Sequence, residues 1–199
     1  MDQNNAITMI LNVISESKNL SLSDDILDYL LSFMISLLDG GNLSCQKTIY
    51  KYFITIPSSE FFFEKIHKTI YEQIEYIKAK QQDNLERKNE VKLQYSENLK
   101  KMILEKILRI MQLFTEGHNL ELQTYWKEQT HSRNSYDMVS LVIELLYAYH
   151  TDMSRSNYEN ILRCLETLTE FVQVFFCFVY EYNMIVIFFR GRALKTKTH

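Results

Sequence analysis

Four glycines and one proline in 199 residues leave this chain few places to reverse sharply. Long elements joined by short links are the expected result. Apolar spacing says which elements. Leu27, Leu30, Leu31, Met34, Leu37 and Leu38 follow the i, i+3, i+4, i+7 stripe of a half-buried helix. Ser23 is placed to cap its start, Asp24 and Asp25 favour the positive end of its dipole, and Gly40 and Gly41 end it. Asn42 or Ser44 opens a second helix carrying Ile49, Tyr50 and Phe53, which Pro57 stops. Ser58 and Ser59 open a third, with Phe62, Ile66, Ile70, Ile74 and Ile77 along one face. The stripe fades from Lys78 to Lys100, a helical extension or a linker. It resumes at Met102 with Ile103, Ile107, Ile110, Met111 and Phe114, and Glu105 and Arg109 are spaced for an i, i+4 pair. Gly117 closes that helix.

A short helix is predicted from Asn119 to about Thr130, then a polar break from His131 to Ser135. The next helix carries Met138, Val142, Leu145, Leu146 and Tyr149, and the last begins near Ser156 and buries Ile161, Leu165 and Leu168. No exact internal repeat is visible, yet paired helices with short turns are how α-solenoids are built. The predicted class is all-α: antiparallel helix pairs in an α-solenoid-like, armadillo-type bundle.

With 46% hydrophobic and 24% charged residues the chain has the material for a packed core. Its net charge of −3 gives no general attraction to nucleic acid or anionic lipid, and the basic residues around Lys78–Lys101 are interleaved with Asp83, Glu86 and Glu90. Cys45, Cys164 and Cys177 are odd in number and far apart, which points to buried free thiols in a reducing compartment. The first residues lack a basic stretch followed by an apolar one, so residues 1–170 are expected in the cytosol.

His67, His118, His131, His150 and His199 are scattered, and none lies three or four residues from a second His or Cys, whereas zinc needs at least three converging donors. Nucleophile elbows, phosphate loops and dinucleotide fingerprints do not occur. Gly40-Gly41-Asn42 lacks a preceding strand and reads as a helix end; the Asp24/Asp25 pair is explained by the helix start. Phe61-Phe62-Phe63 and Tyr125-Trp126 read as core. No catalytic, cofactor-binding or metal-ligating residue is assigned, no cofactor is expected, and no nucleic-acid partner.

Several words of the sequence, taken in order, resemble the inositol trisphosphate and ryanodine receptor family. They are Leu37-Leu-Asp-Gly-Gly-Asn42 with Gln46, and Ser59-Glu-Phe-Phe-Phe-Glu-Lys-Ile66. Ile107-Leu-Arg-Ile-Met-Gln-Leu-Phe114 and Gly117-His-Asn-Leu-Glu-Leu-Gln123 are similar to the core of that family's homology-associated domain. Asn134-Ser-Tyr136, Asp137 and Met138 resemble its next helix start, and Ile161 through Glu170 its last helix. The likeness runs over roughly residues 25 to 173. It implies a cytosolic helical domain that couples ligand binding to the pore of an intracellular calcium-release channel, on the face of the endoplasmic reticulum or another calcium store. Its partners would be other domains or subunits of that channel, a homotetramer. The competing reading is a stand-alone helical protein-interaction module without channel activity; an enzyme is disfavoured.

After Gln173 the likeness stops. Phe171 to Phe189 is long enough to span hydrocarbon, but Glu181 near its middle costs about 2.5–3.5 kcal/mol against roughly −5 kcal/mol from its apolar residues. The basic residues Arg190, Arg192, Lys195 and Lys197 would then hold the C-terminus in the cytosol and put the preceding helices on the opposite side. Three readings stand: a membrane span, an apolar segment packed on the helices, or translated non-coding sequence at a missed splice junction. The abrupt loss of likeness favours the last. The expected division is 1–77, an N-terminal helical layer; 78–101, a polar extension or linker; 102–173, the homology-associated part; and 174–199, the departing tail.

Overall fold

The computed structural model describes residues 2–16, 22–82, 90–151 and 157–175, with side chains from 81–82, 90–97, 151 and 173–175 left aside. Among the described residues there are eight α-helices and no strand, so the expected all-α bundle forms. They are α1 Gln3–Glu16, α2 Asp24–Leu38, α3 Leu43–Thr55, α4 Glu60–Gln82, α5 Glu90–Thr115, α6 Leu120–Lys127, α7 Met138–Thr151 and α8 Tyr158–Phe175. A 3-10 turn, Pro57–Ser59, joins α3 to α4.

Local chemistry explains the ends. The Ser23 hydroxyl accepts from the Ile26 N–H at 3.4 Å, and Asp24 and Asp25 sit in the first turn of α2. Asn42, not Ser44, caps α3: its Oδ1 accepts from the N–H groups of Ser44 and Cys45 at 3.1 and 3.2 Å. Pro57 opens the 3-10 turn, where its missing N–H costs nothing. Helix α1 carries its own stripe of Ile7, Ile10, Leu11 and Ile14, all buried, although the sequence reading began its helices at Leu27. Two details differ from expectation. Met102 is 47% exposed, outside the stripe that Ile103 and Ile107 begin. Glu105 faces Lys101 at 4.0 Å, while Arg109 donates to Gln112 at 3.0 Å; a neutral acceptor one turn on captured the guanidinium.

The helices stack in threes where pairs were expected. Helix α1 packs on α4 and α4 on α7; α2 packs on α5 and α5 on α8; α3 packs on α6. Each layer is therefore a triplet: α1–α2–α3, then α4–α5–α6, then α7–α8. Helices within a row run parallel, because a stacked copy keeps its direction. Lys106 on α5 pairs with Asp28 on α2, and further along both helices Glu116 lies against Gly41. Similarly, His67 meets Tyr136 at the start of α7, and Lys78 reaches Glu144 at 3.0 Å further on. One contiguous core runs through all layers from Ile7 to Phe171.

Two turns at equivalent places set the layer shape. Gly40, Gly41, Gly117 and His118 all have positive φ, between 62° and 77°. Added Cβ atoms would meet different surroundings: none within 4 Å at Gly40, but the Glu116 side chain at 3.3 Å at Gly41. Gly40→Ala is expected to lose about 1 kcal/mol, the backbone penalty alone. Gly41→Ala should lose more, and combining it with Glu116→Ala should return the loss toward that of Gly40→Ala. Urea unfolding of the three variants checks this; equal losses at both glycines would contradict it.

Candidate functional site

Residues 39–46 and 116–123 are an inexact repeat: acid, Gly, Xaa, Asn, Leu, two variable residues, Gln. Each copy makes the turn between the second and third helix of its layer. In each, Asn caps the third helix; Asn119 Oδ1 accepts from the Leu122 N–H at 3.1 Å, as Asn42 does from its own first turn. The Gln one turn later points into the next layer.

Gln46 is fully buried, and its amide is used completely across that boundary. Its Nε2 donates to the carbonyls of Leu113 and Glu116 at 2.9 Å each, which have no further helical turn to accept from. Its Oε1 accepts from Asn119 Nδ2 at 3.1 Å. One side chain thus closes the end of α5 and fixes the turn that starts α6. The words Leu37–Asn42 with Gln46 and Gly117–Gln123, far apart in sequence, meet at this amide. Gln123 repeats the gesture: it is 0% exposed and its Nε2 donates to the Glu170 carbonyl on α8 at 3.0 Å. Gln112 and Thr167 join α5 to α8 at 3.2 Å. Gln129 clamps the connection to α7, accepting from the Tyr136 N–H at 2.6 Å and donating to the Tyr136 carbonyl at 3.2 Å.

Beside this seam, an open cleft of about 500 Å³ lies between α5 and α8, lined by Arg109, Gln112, Glu116, Arg163, Glu166 and Glu170. Arg163 pairs with Glu166 at 3.1 Å, whereas Arg109 is held by neutral Gln112. Both signs of charge are present side by side, so the cleft suits a polar surface of mixed charge better than a simple anion.

The residues singled out in the sequence sit apart from the seam. Phe62, Phe63, Tyr125 and Trp126 are buried with Phe53 and Phe114 in one aromatic cluster. His131 lies over Tyr125, its Nδ1 at 3.1 Å from the Thr130 hydroxyl, and His118 occupies the α5–α6 turn. Cys45 and Cys164 are buried free thiols, and burial pushes Cys164 up to about 12, so it stays protonated and unreactive at neutral pH. Cys177, His199 and residues 176–189 of the apolar segment lie outside the described residues. Among the described residues no helix is long and apolar enough to cross a membrane, and no group of three or more His, Cys, Asp or Glu could hold a metal ion.

The placement of His67 has a pH consequence. Its ring packs 4.9 Å from Tyr136 and 6.2 Å from Tyr71, and burial lowers its pKa below the ordinary 6.5, partly opposed by Glu144. The unfolded chain therefore takes up this proton at a higher pH than the folded one. Stability is present above 6.5 and falls as pH drops through the window beneath it. Urea midpoints measured at about pH 7.5 and about pH 5.5 should fall with acidification, and His67→Gln should flatten the difference. An unchanged slope in that variant would remove His67 as its source.

Residues 98–179 match the family model described as RyR and IP3R Homology associated. This stretch is similar to the RyR and IP3R homology associated domain. The match covers less than half of the chain. Within the described residues the matched stretch comprises most of α5 with α6, α7 and α8, and Gln46 reaches into it from a residue before the match. Sequence reasoning found the words that meet there but not their contact. The signal available was the twofold Gly-Xaa-Asn-Leu-Xaa-Xaa-Gln, which is inexact and carries few identities.

Proposed function

We propose that this chain is a cytosolic helical coupling element of an intracellular ligand-gated calcium-release channel, passing ligand binding on to the pore. The observation that carries the reading is the homology-associated domain, whose description refers to the ryanodine and inositol trisphosphate receptors. In this reading residues 102–173 carry the homology-associated part, 1–77 form the layer it docks on, 78–101 join the two, and 174–199 stand outside the family pattern. The partners are other domains or subunits of a tetrameric channel at an internal calcium store.

The physics of the seam suits such a role. A relay must move as a body, and amides shared across layer boundaries oppose sliding of one triplet on the next. Ligand binding elsewhere then biases the pore only if the layer stack sits differently in two channel states. No residue is given a catalytic part.

An antibody raised against residues 1–173 tests the reading on native extract. A band of several hundred kilodaltons in the internal-membrane fraction is the expected result. A band near 23.8 kDa would instead establish the stand-alone helical interaction module. Gating should respond as well: in the assembled channel, Gln46→Ala should alter the opening evoked by saturating ligand.

A further inference from the structure

The outer side of the first layer is apolar, and no helix is stacked on it among the described residues. Leu27, Leu31, Met34 and Leu38 turn α2 toward α5. On the far side of the helix Ile26, Tyr29 and Phe33 are exposed at i, i+3 and i+7, Tyr29 to 74%. Helix α1 does the same: Ile7, Leu11 and Ile14 face inward, while Met9 and Val13 are exposed behind them. Asn4 and Ser15 of α1 reach Ser44 and Tyr52 of α3, so Met9 and Val13 lie on the opposite flank, beside α2. At about 100° per residue, the two exposed sets border one groove between α1 and α2. Exposed apolar side chains scattered singly are ordinary, whereas a contiguous row along a groove marks an interaction surface.

Charge defines what covers it. Helices α1 and α2 carry Glu16, Asp24, Asp25 and Asp28 and no Lys, Arg or His. Asp28 is taken by Lys106 of α5. Glu16, Asp24 and Asp25 stand where α1 ends and α2 begins, so these carboxylates gather at one end of the groove. We propose that the groove docks a cationic amphipathic helix of a partner protein. Its apolar residues, at i, i+3 or i+4 and i+7, lie against Met9, Val13, Ile26, Tyr29 and Phe33. Its Lys and Arg side chains fall in the turn over Glu16, Asp24 and Asp25. The groove and its charges are the same whether or not the chain serves a channel.

Other occupants fit the groove less well. An anionic lipid surface is repelled by the same carboxylates. A second copy presenting its own groove would set two groups of carboxylates against each other. The outer side of the third layer, where Tyr147, Tyr158 and Leu162 are exposed, carries Glu159 and the paired Arg163 and Glu166, so it brings no excess of bases to meet them.

A fluorescently labelled, helix-forming peptide of leucine and lysine serves as probe against the full chain, its leucines at i, i+3, i+4 and i+7 and its lysines gathered toward one end. Binding is expected, with the Met9 methyl signal and the Ile26 and Tyr29 amide signals shifting in NMR spectra. A peptide of the same composition with its leucines scattered, and one with glutamate in place of lysine, should each bind about tenfold more weakly. In the protein, Tyr29→Ser with Phe33→Ser should weaken the lysine peptide to a similar degree. Asp24→Lys with Asp25→Lys should reverse the preference in favour of the glutamate peptide, a gain of binding that loss of folding cannot imitate. Absence of binding, as when residues 176–199 or a second copy already cover the groove, overturns the proposal. So does equal binding of the scattered peptide, or a set of shifts confined to α7 and α8.

Discussion

Truncating Phe53 to alanine should lower the stability of the fold by about 4 kcal/mol, the largest loss expected from any single side chain here. Phe53 is 2% exposed and stands where α3, α4, α5 and α6 converge. Its ring centroid lies 4.8 Å from Phe63, 5.3 Å from Phe62, 6.1 Å from Phe114 and 5.7 Å from Tyr125, on which it stacks. Removing the ring opens a cavity that four rigid neighbours cannot fill. Its backbone is also engaged: the Phe53 carbonyl accepts from the Tyr125 hydroxyl at 3.0 Å and from the Ser59 hydroxyl at 3.1 Å. Those bonds weaken if the neighbours shift into the void. Phe53→Leu keeps much of the volume and should cost about 1.5 kcal/mol. Urea unfolding followed by far-ultraviolet circular dichroism separates the two, and an alanine variant within 1 kcal/mol of the parent would show that the cluster is not close-packed.

Gln46→Leu comes next, at about 3 kcal/mol. Leucine fills similar space but abandons the Leu113 and Glu116 carbonyls and the Asn119 amide together. Packing alone does not predict such a loss, because the substitution makes the site more apolar. Gln46→Glu sharpens the test. A carboxylate there faces two carbonyls at the negative end of α5 and cannot donate to either. Protonated, it can. The folded variant therefore holds its proton more tightly than the unfolded chain, so stability is present at low pH and lost as pH rises through the folded pKa. Gln46→Glu should consequently regain stability on mild acidification relative to Gln46→Leu. A parallel response of the two variants would count against the carbonyl contacts as the source of the loss.

Much of the fold could be read in advance because helix stripes are local. Leu27, Leu31, Met34 and Leu38 are all buried, and the caps at Ser23 and Asn42 fall where short polar side chains precede apolar runs. Helix α1 escaped notice although Ile7, Ile10, Leu11 and Ile14 carry the same spacing. Grouping by threes could not be read, because the row contacts join residues with no shared local pattern, such as Lys78 with Glu144. The seam was legible only as words. Gln46 looked like one polar residue in a half-apolar helix, and its importance comes from the two carbonyls of α5 that it meets. A glutamine of this kind gives no periodic signal, since it is buried by the next layer and not by its own helix.

The triplet stacking also bears on how the chain acquires its shape. Contacts between layers recur at similar separations along the sequence: 67 residues from Gln46 to Leu113, 72 from Tyr125 to Phe53, 66 from Lys78 to Glu144 and 59 from Thr167 to Leu108. For a helical protein these are distant pairings, so closing the loops between them slows the search relative to a simple up-and-down bundle. The cost is nevertheless incurred in equal instalments, one for each layer. A nascent chain can complete one triplet, present its glutamine, and wait for the next turn to emerge. Order of synthesis and order of assembly then coincide, and accretion from the N-terminal side becomes the natural folding route of this architecture.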